Sequence, residues 1–178
     1  MESMCDMCGG ASVEDVRRQL MSRVAEHDFS MVAVQGEHDP QQGRNHPGFV
    51  YSVGLWCMHR APEVLVIAPR ALAAELVQCY AERIIAGETF EPGVGYDGFF
   101  DGYPVMFEFV GPRHYPEWLA SGFFLYPDGE FPVLQMLWPD EDRVWPWQNG
   151  ADPRVKARQP VLTDSGVPET WMSGVTGP

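Results

Sequence analysis

The chain has 178 residues, enough to bury one hydrophobic core but few for two. Its 25 Asp and Glu against 12 Lys and Arg leave a net charge of −13, and no basic cluster offsets it, which disfavours nucleic acid and anionic membrane surfaces as partners. With 45% hydrophobic residues, 6 Trp, 6 Tyr and 10 Phe, the composition excludes a disordered chain.

The partners expected from this balance are small molecules or basic peptides and proteins. There is neither an apolar run of about 18 residues nor the basic flank and apolar centre of a signal peptide. A cytoplasmic location follows as an expectation, with Cys5, Cys8, Cys57 and Cys79 kept reduced.

Ser12 followed by Asp15 has the form of a helix N-cap, and Val16, Leu20 and Val24 recur at helical spacing, predicting a helix from about Ser12 to Glu26. Ser30 to Gln35 reads as a strand, Gly36 to Gly48 as a polar loop, and Phe49 to Leu55 as a second strand. Glu63 to Ala68 is an uninterrupted apolar run after its first residue, as expected of a central strand covered on both faces.

From Pro69 to Ala86 an apolar stripe ends at Gly87 and predicts the second long helix. Glu91 to Gly102, rich in glycine and aromatics, reads as a loop. Tyr103 to Val110 reads as a strand, Pro116 to Ser121 as a short helix and Phe131 to Trp138 as a further strand. The class is α+β, with a mixed or mostly antiparallel sheet of about five or six strands, two long helices and one short one. Residues 1–163 are expected to form a single domain and 164–178 a flexible tail.

Several segments together carry a family resemblance. They are Cys5-Asp6-Met7-Cys8, Phe49-Val50-Tyr51-Ser52-Val53-Gly54-Leu55, Pro62-Glu63-Val64-Leu65, and Leu134-Gln135-Met136-Leu137-Trp138-Pro139-Asp140, followed by Pro146-Trp147 and Gln159-Pro160. In order and spacing this set resembles the bacterial domain-of-unknown-function family 4262 over roughly residues 5 to 162. Ser52 stands where that family commonly has Thr, and Asp28-Phe29 where it has Gly-Trp. The resemblance implies a domain, and no reaction or cofactor comes with it.

Three groups of residues are candidates for chemistry. Cys5 and Cys8 could supply half of a tetrahedral zinc site, which would need two further ligands from among His27, His38, His46, Cys57 and His59. The same pair could be redox active, or could simply pack the N-terminal arm. Tyr51, Ser52, Glu63, Trp138, Asp140 and Trp147 could form an aromatic-walled ligand site with one or two carboxylates. The plainer alternative is that Trp138 and Trp147 belong to the core while Asp140 locks a turn.

His114, beside Arg113, is the third candidate and would act as a base. Gly93-x-Gly95 lacks the strand-before, helix-after setting of a phosphate loop. Two function classes follow. The first is a non-catalytic binding or accessory module for a small molecule or basic peptide. The second is a hydrolase or group-transfer enzyme, zinc-dependent or not, with Glu63, Asp140 or His114 as base.

Overall fold

A computed structural model describes residues 12–39 and 44–170. Helix α1 spans Val13–His27. Ser12 caps it by accepting a hydrogen bond from the Asp15 N–H at 3.2 Å, which satisfies one of the donors left open at a helix start. Strand β1 (Ser30–Val34) follows, then β2 (Glu37–Asp39), β3 (Arg44–His46) and β4 (Phe49–Val53). The expected polar loop before Phe49 thus contains a small antiparallel hairpin, β2 with β3. Three-residue strands are too short to show an alternating pattern.

Helix α2 (Leu55–His59), strand β5 (Glu63–Ile67) and helix α3 (Arg70–Ile85) come next. Strand β6 (Gly95–Phe100) occupies the stretch read as a loop. Its glycines hide it from a propensity argument, but hydrogen bonds to β7 (Tyr103–Phe109) hold it as an edge strand. Helix α4 (Tyr115–Trp118) lies between two 3₁₀ turns, Pro112–His114 and Ala120–Phe124, where one short helix was expected. Strand β8 (Val133–Leu137) and helix α5 (Pro153–Arg158) complete the described elements.

Six strands form one sheet in the order β1-β4-β5-β8-β7-β6, while β2 and β3 pair apart from it. Every pairing in the large sheet is antiparallel except β5 with β8, which is parallel. The sheet is therefore mixed. Strands β4, β5 and β8 are buried along their whole length, which explains why they are apolar on both faces except at Ser52, Glu63 and Gln135. On one face Ala73, Leu76, Val77 and Tyr80 of α3 pack on Val50, Val64, Val66, Leu134 and Met136. On the other face Leu20 of α1 and the aromatic residues Trp118, Tyr126 and Phe131 cover Tyr51, Val53, Leu65 and Val133.

The chain after α5 crosses this second face as a strap. The Gln135 side chain mimics a neighbouring strand, donating to the Pro160 carbonyl at 2.7 Å and accepting from the Leu162 N–H at 2.8 Å. Glu108, which faces Gln135 across the β7–β8 ladder, accepts from the N–H groups of Glu169 and Thr170 at 3.1 Å and from the Thr170 hydroxyl at 2.7 Å. Residues 164–170, expected to belong to a flexible tail, are thus docked at their far end; 171–178 lie outside the described residues.

Candidate functional site

Glu63 opens β5 with its side chain completely buried. Its Oε2 accepts from the Ser52 hydroxyl at 2.6 Å. Its Oε1 accepts from the Tyr126 hydroxyl at 2.6 Å and from the Gly54 and Trp56 N–H groups at 2.8 and 3.1 Å. The Ser52 oxygen in turn accepts from the Val64 N–H at 2.9 Å, and the Tyr126 oxygen from the Gly54 N–H at 3.1 Å. A buried carboxylate is tolerable only with such partners, because an unpaired one would forfeit its hydration without return.

The sequence produces this hub at the point where β4 leaves its ladder with β5. Gly54, at φ +116°, turns the chain into α2 and aims two amide donors, its own and that of Trp56, at Glu63. A Cβ at Gly54 would stand 2.8 Å from a Val24 methyl of α1 and 3.0 Å from the Asp28 carbonyl oxygen, so the turn also lets α1 approach closely. Burial pushes the Glu63 carboxyl above its ordinary value of 4.5, and the hydrogen bonds from Ser52, Tyr126, Trp56 and Gly54 oppose that push. Burial likewise raises the Tyr51 hydroxyl to about 12; that oxygen accepts from the Ser121 N–H at 3.1 Å.

A cleft of about 640 Å³ opens at the other end of the same strands, beyond the carboxyl ends of β5 and β8. Ligands in sheets with parallel strands are commonly held in this position, because loops diverge where the strands stop. Its apolar wall comes from Ile67, Leu72, Trp138 and Val155. Its charged groups are Arg70 at the first position of α3, Arg158 at the last position of α5, and Asp140. Neither arginine makes a side-chain hydrogen bond or ion pair with another described residue. Arg70 stands at the rim and also borders a groove between α3 and β1.

Trp138 is half-buried, with its ring centroid 5.3 Å from that of Phe100. Gln159 holds its backbone, accepting from the Trp138 N–H at 3.3 Å and donating to the Trp138 carbonyl at 3.4 Å. Asp140 turns the chain back on itself, since its Oδ1 accepts from the Asp142 and Val144 N–H groups at 3.0 and 2.8 Å. Gly36, at the cleft's far rim, has no room for a Cβ, which would fall 2.7 Å from the Gly48 nitrogen. Beyond the ridge formed by Trp138, Pro139 and Asp140, a second depression is lined by Glu141, Asp142 and Asp152 together with Phe100 and Tyr103.

The six residues expected to form one site are therefore divided between two ends of the sheet. Glu63 pairs with Val133 at the start of β8, whereas Trp138 and Asp140 lie past its end, a separation of more than the roughly 13 Å of the strand itself. Ser52 and Glu63 share the buried hub, Tyr51 points into the aromatic cluster beside it, and Trp138 and Asp140 border the cleft. Trp147 packs on Trp145 with the rings tilted by 32° and their centroids 5.0 Å apart, against Met106 and Leu137. The composite site of the sequence reading is corrected on this point, because a strand carries residues of its two ends apart.

His114 lies 3.1 Å from the Thr163 carbonyl oxygen and 3.2 Å from Arg113 Nε, a setting that ties the strap to the turn before α4. Cys5 and Cys8 lie outside the described residues. Among the described residues no three His, Cys, Asp or Glu side chains stand close enough to hold one metal ion. His27, His46 and His59 each stand near a single carboxylate, Glu26, Glu117 and Asp28 respectively. Cys57 donates to the Gly54 carbonyl at 3.1 Å. No helix of the described residues is long and apolar enough to cross a membrane.

Sequence reasoning missed Arg70, Arg158, Tyr126 and Glu108. A signal existed for Arg70 alone, because the first residue of a helix that follows a buried strand sits at the strand's carboxyl end. The other three depend on contacts between segments far apart in the chain.

Fold and cleft together define an α+β protein built on a six-stranded mixed sheet, with an open recess at the carboxyl ends of its one parallel strand pair. The chain matches the family described as Domain of unknown function (DUF4262) over residues 23–152, well over half its length, and it belongs to that family. No curated protein and no solved structure matches it.

Proposed function

We propose that the protein is a binding module that holds a small molecule in the cleft bordered by Trp138, Arg70 and Arg158. The observation that carries this reading is the cleft itself. About 640 Å³ suits a small organic ligand, and the mostly apolar wall with a few charged groups at its edge is the usual make-up of such sites. Of the two partner types expected from composition, the small molecule is preferred, because two of the three charged groups bordering the recess are arginines, which would repel a basic peptide. A cytoplasmic setting belongs to the same proposal and rests on composition.

The enzyme reading has less support. A general base must reach the proton it removes, and both Glu63 oxygens are already taken by four donors in a site closed to solvent. Asp140 is committed through Oδ1 to its own turn.

Thermal-shift screening of the full chain against a small-molecule library, repeated on Leu72→Trp, tests the proposal. Ligands that raise the melting temperature of the wild type and fail to do so in the variant, whose indole fills the recess, are the expected result. Hits that stabilise both proteins equally would sink it, as would a library without hits.

A further inference from the structure

We infer that the ligand of this cleft carries an anionic group, a carboxylate, sulfonate or phosphate, on a flat apolar body. The inference rests on the binding reading above and adds the ligand's chemical class.

Among the described residues Arg18, Arg83 and Arg113 pair with carboxylates at 3.1, 2.7 and 3.5 Å. Arg70 and Arg158 do not, although Asp140 borders the same recess. Asp140 is directed instead to the N–H groups of its own turn, which leaves the two guanidinium groups as the cationic groups facing the space. They approach from different elements, α3 and α5, so an anion between them would receive donors from two sides. Guanidinium groups suit this role because their planar donor forks match the oxygens of carboxylates and phosphates.

The rest of the lining gives the ligand's other half. Trp138 offers an aromatic face on the wall that divides the recess from the acidic depression, and Ile67, Leu72 and Val155 supply an aliphatic surround. A flat hydrocarbon ring would bury against this wall while its anionic substituent meets the arginines. The acidic residues Glu141, Asp142 and Asp152 border the depression across the ridge rather than the recess, so the sign of charge changes from one side of Trp138 to the other.

Three probes of one shape separate charge from shape: 1-naphthoate, 1-naphthalenemethanol and 1-naphthylmethylammonium. Saturation-transfer NMR on the full chain is expected to give naphthoate an affinity at least about tenfold above the alcohol, with the ammonium weakest. In the Arg70→Gln, Arg158→Gln double variant naphthoate should fall to the level of the alcohol, while the alcohol's own binding is retained and shows that the recess is intact. Equal binding of all three probes, or a preference for the ammonium, would overturn the anionic class and leave the binding reading standing. If none of the three binds, or if all bind equally well to Leu72→Trp, the cleft reading falls and takes this inference with it.

Discussion

Glu63 is where burial and hydrogen bonding contend most directly. Each donor left without its acceptor in a buried site costs about 1 to 3 kcal/mol, so Glu63→Gln, which removes one acceptor oxygen facing Ser52, should destabilise the protein by an amount in that range. The pH dependence has a definite sign. Because burial raises the folded-state value above the ordinary 4.5, the carboxyl's contribution is fully present below 4.5 and is lost as pH rises through the raised value. The Gln variant has no such titration. The gap in melting temperature, wild type above variant, should be widest in acid and should narrow as pH rises. A gap that widens with pH would show that the four hydrogen bonds outweigh burial.

At the scale of elements, the strap from Gln159 to Thr170 closes the second face of the sheet without pairing as a strand. Apart from one main-chain bond, in which the Gly111 N–H donates to the Leu162 carbonyl at 2.7 Å, its anchors are side chains, Gln135 near its start and Glu108 at the far end, and side-chain anchors open one at a time where a ladder opens cooperatively. Glu108→Ala should therefore release the Glu169 and Thr170 amides, along with that of Phe109, which donates to the other Glu108 oxygen at 3.1 Å. Hydrogen exchange there is expected to speed up by about one to two orders of magnitude, corresponding to roughly 1 to 3 kcal/mol, with the β4, β5 and β8 amides unchanged. Exchange that accelerates across β8 as well would show that the strap supports the sheet. The strap also indicates what local patterns convey. Phe49 to Val53 and Glu63 to Ile67 are recognisable as strands because the apolar pattern that marks them lies in their own residues, whereas the Gln135 and Glu108 anchors sit in segments that read only as strand interiors.

For the whole molecule, the net charge of −13 places a repulsive load on a fold with few ion pairs to relieve it. The ion pairs made by Arg18, Arg83 and Arg113 are at least partly exposed and contribute little individually. Screening should thus help more than it harms. The melting temperature is expected to rise as salt increases from about 10 mM to about 150 mM, over which the Debye length shrinks from roughly 30 Å to 8 Å. A fall over the same range would show that local attractions dominate the global repulsion.

By itself the sequence determined the α+β class, the two long helices, the buried central strand β5 and the family, because each depends on periodicity or on residue order that survives in the linear chain. It missed β6, whose pairing with β7 defines it better than its glycine-rich composition does. Only the tertiary structure decided which candidate residues belong together. Glu63 and Trp138 both flank buried strands, and nothing local records that one stands at a strand's start and the other past a strand's end. The parallel pairing of β5 with β8 settles it by carrying Glu63 to the closed end, under Tyr126, and Trp138 to the open end, beside Arg70 and Arg158. The physical reason is that register and direction of strand pairing are properties of two segments at once, and a site at a sheet's end is assembled from whichever chain ends that pairing brings there.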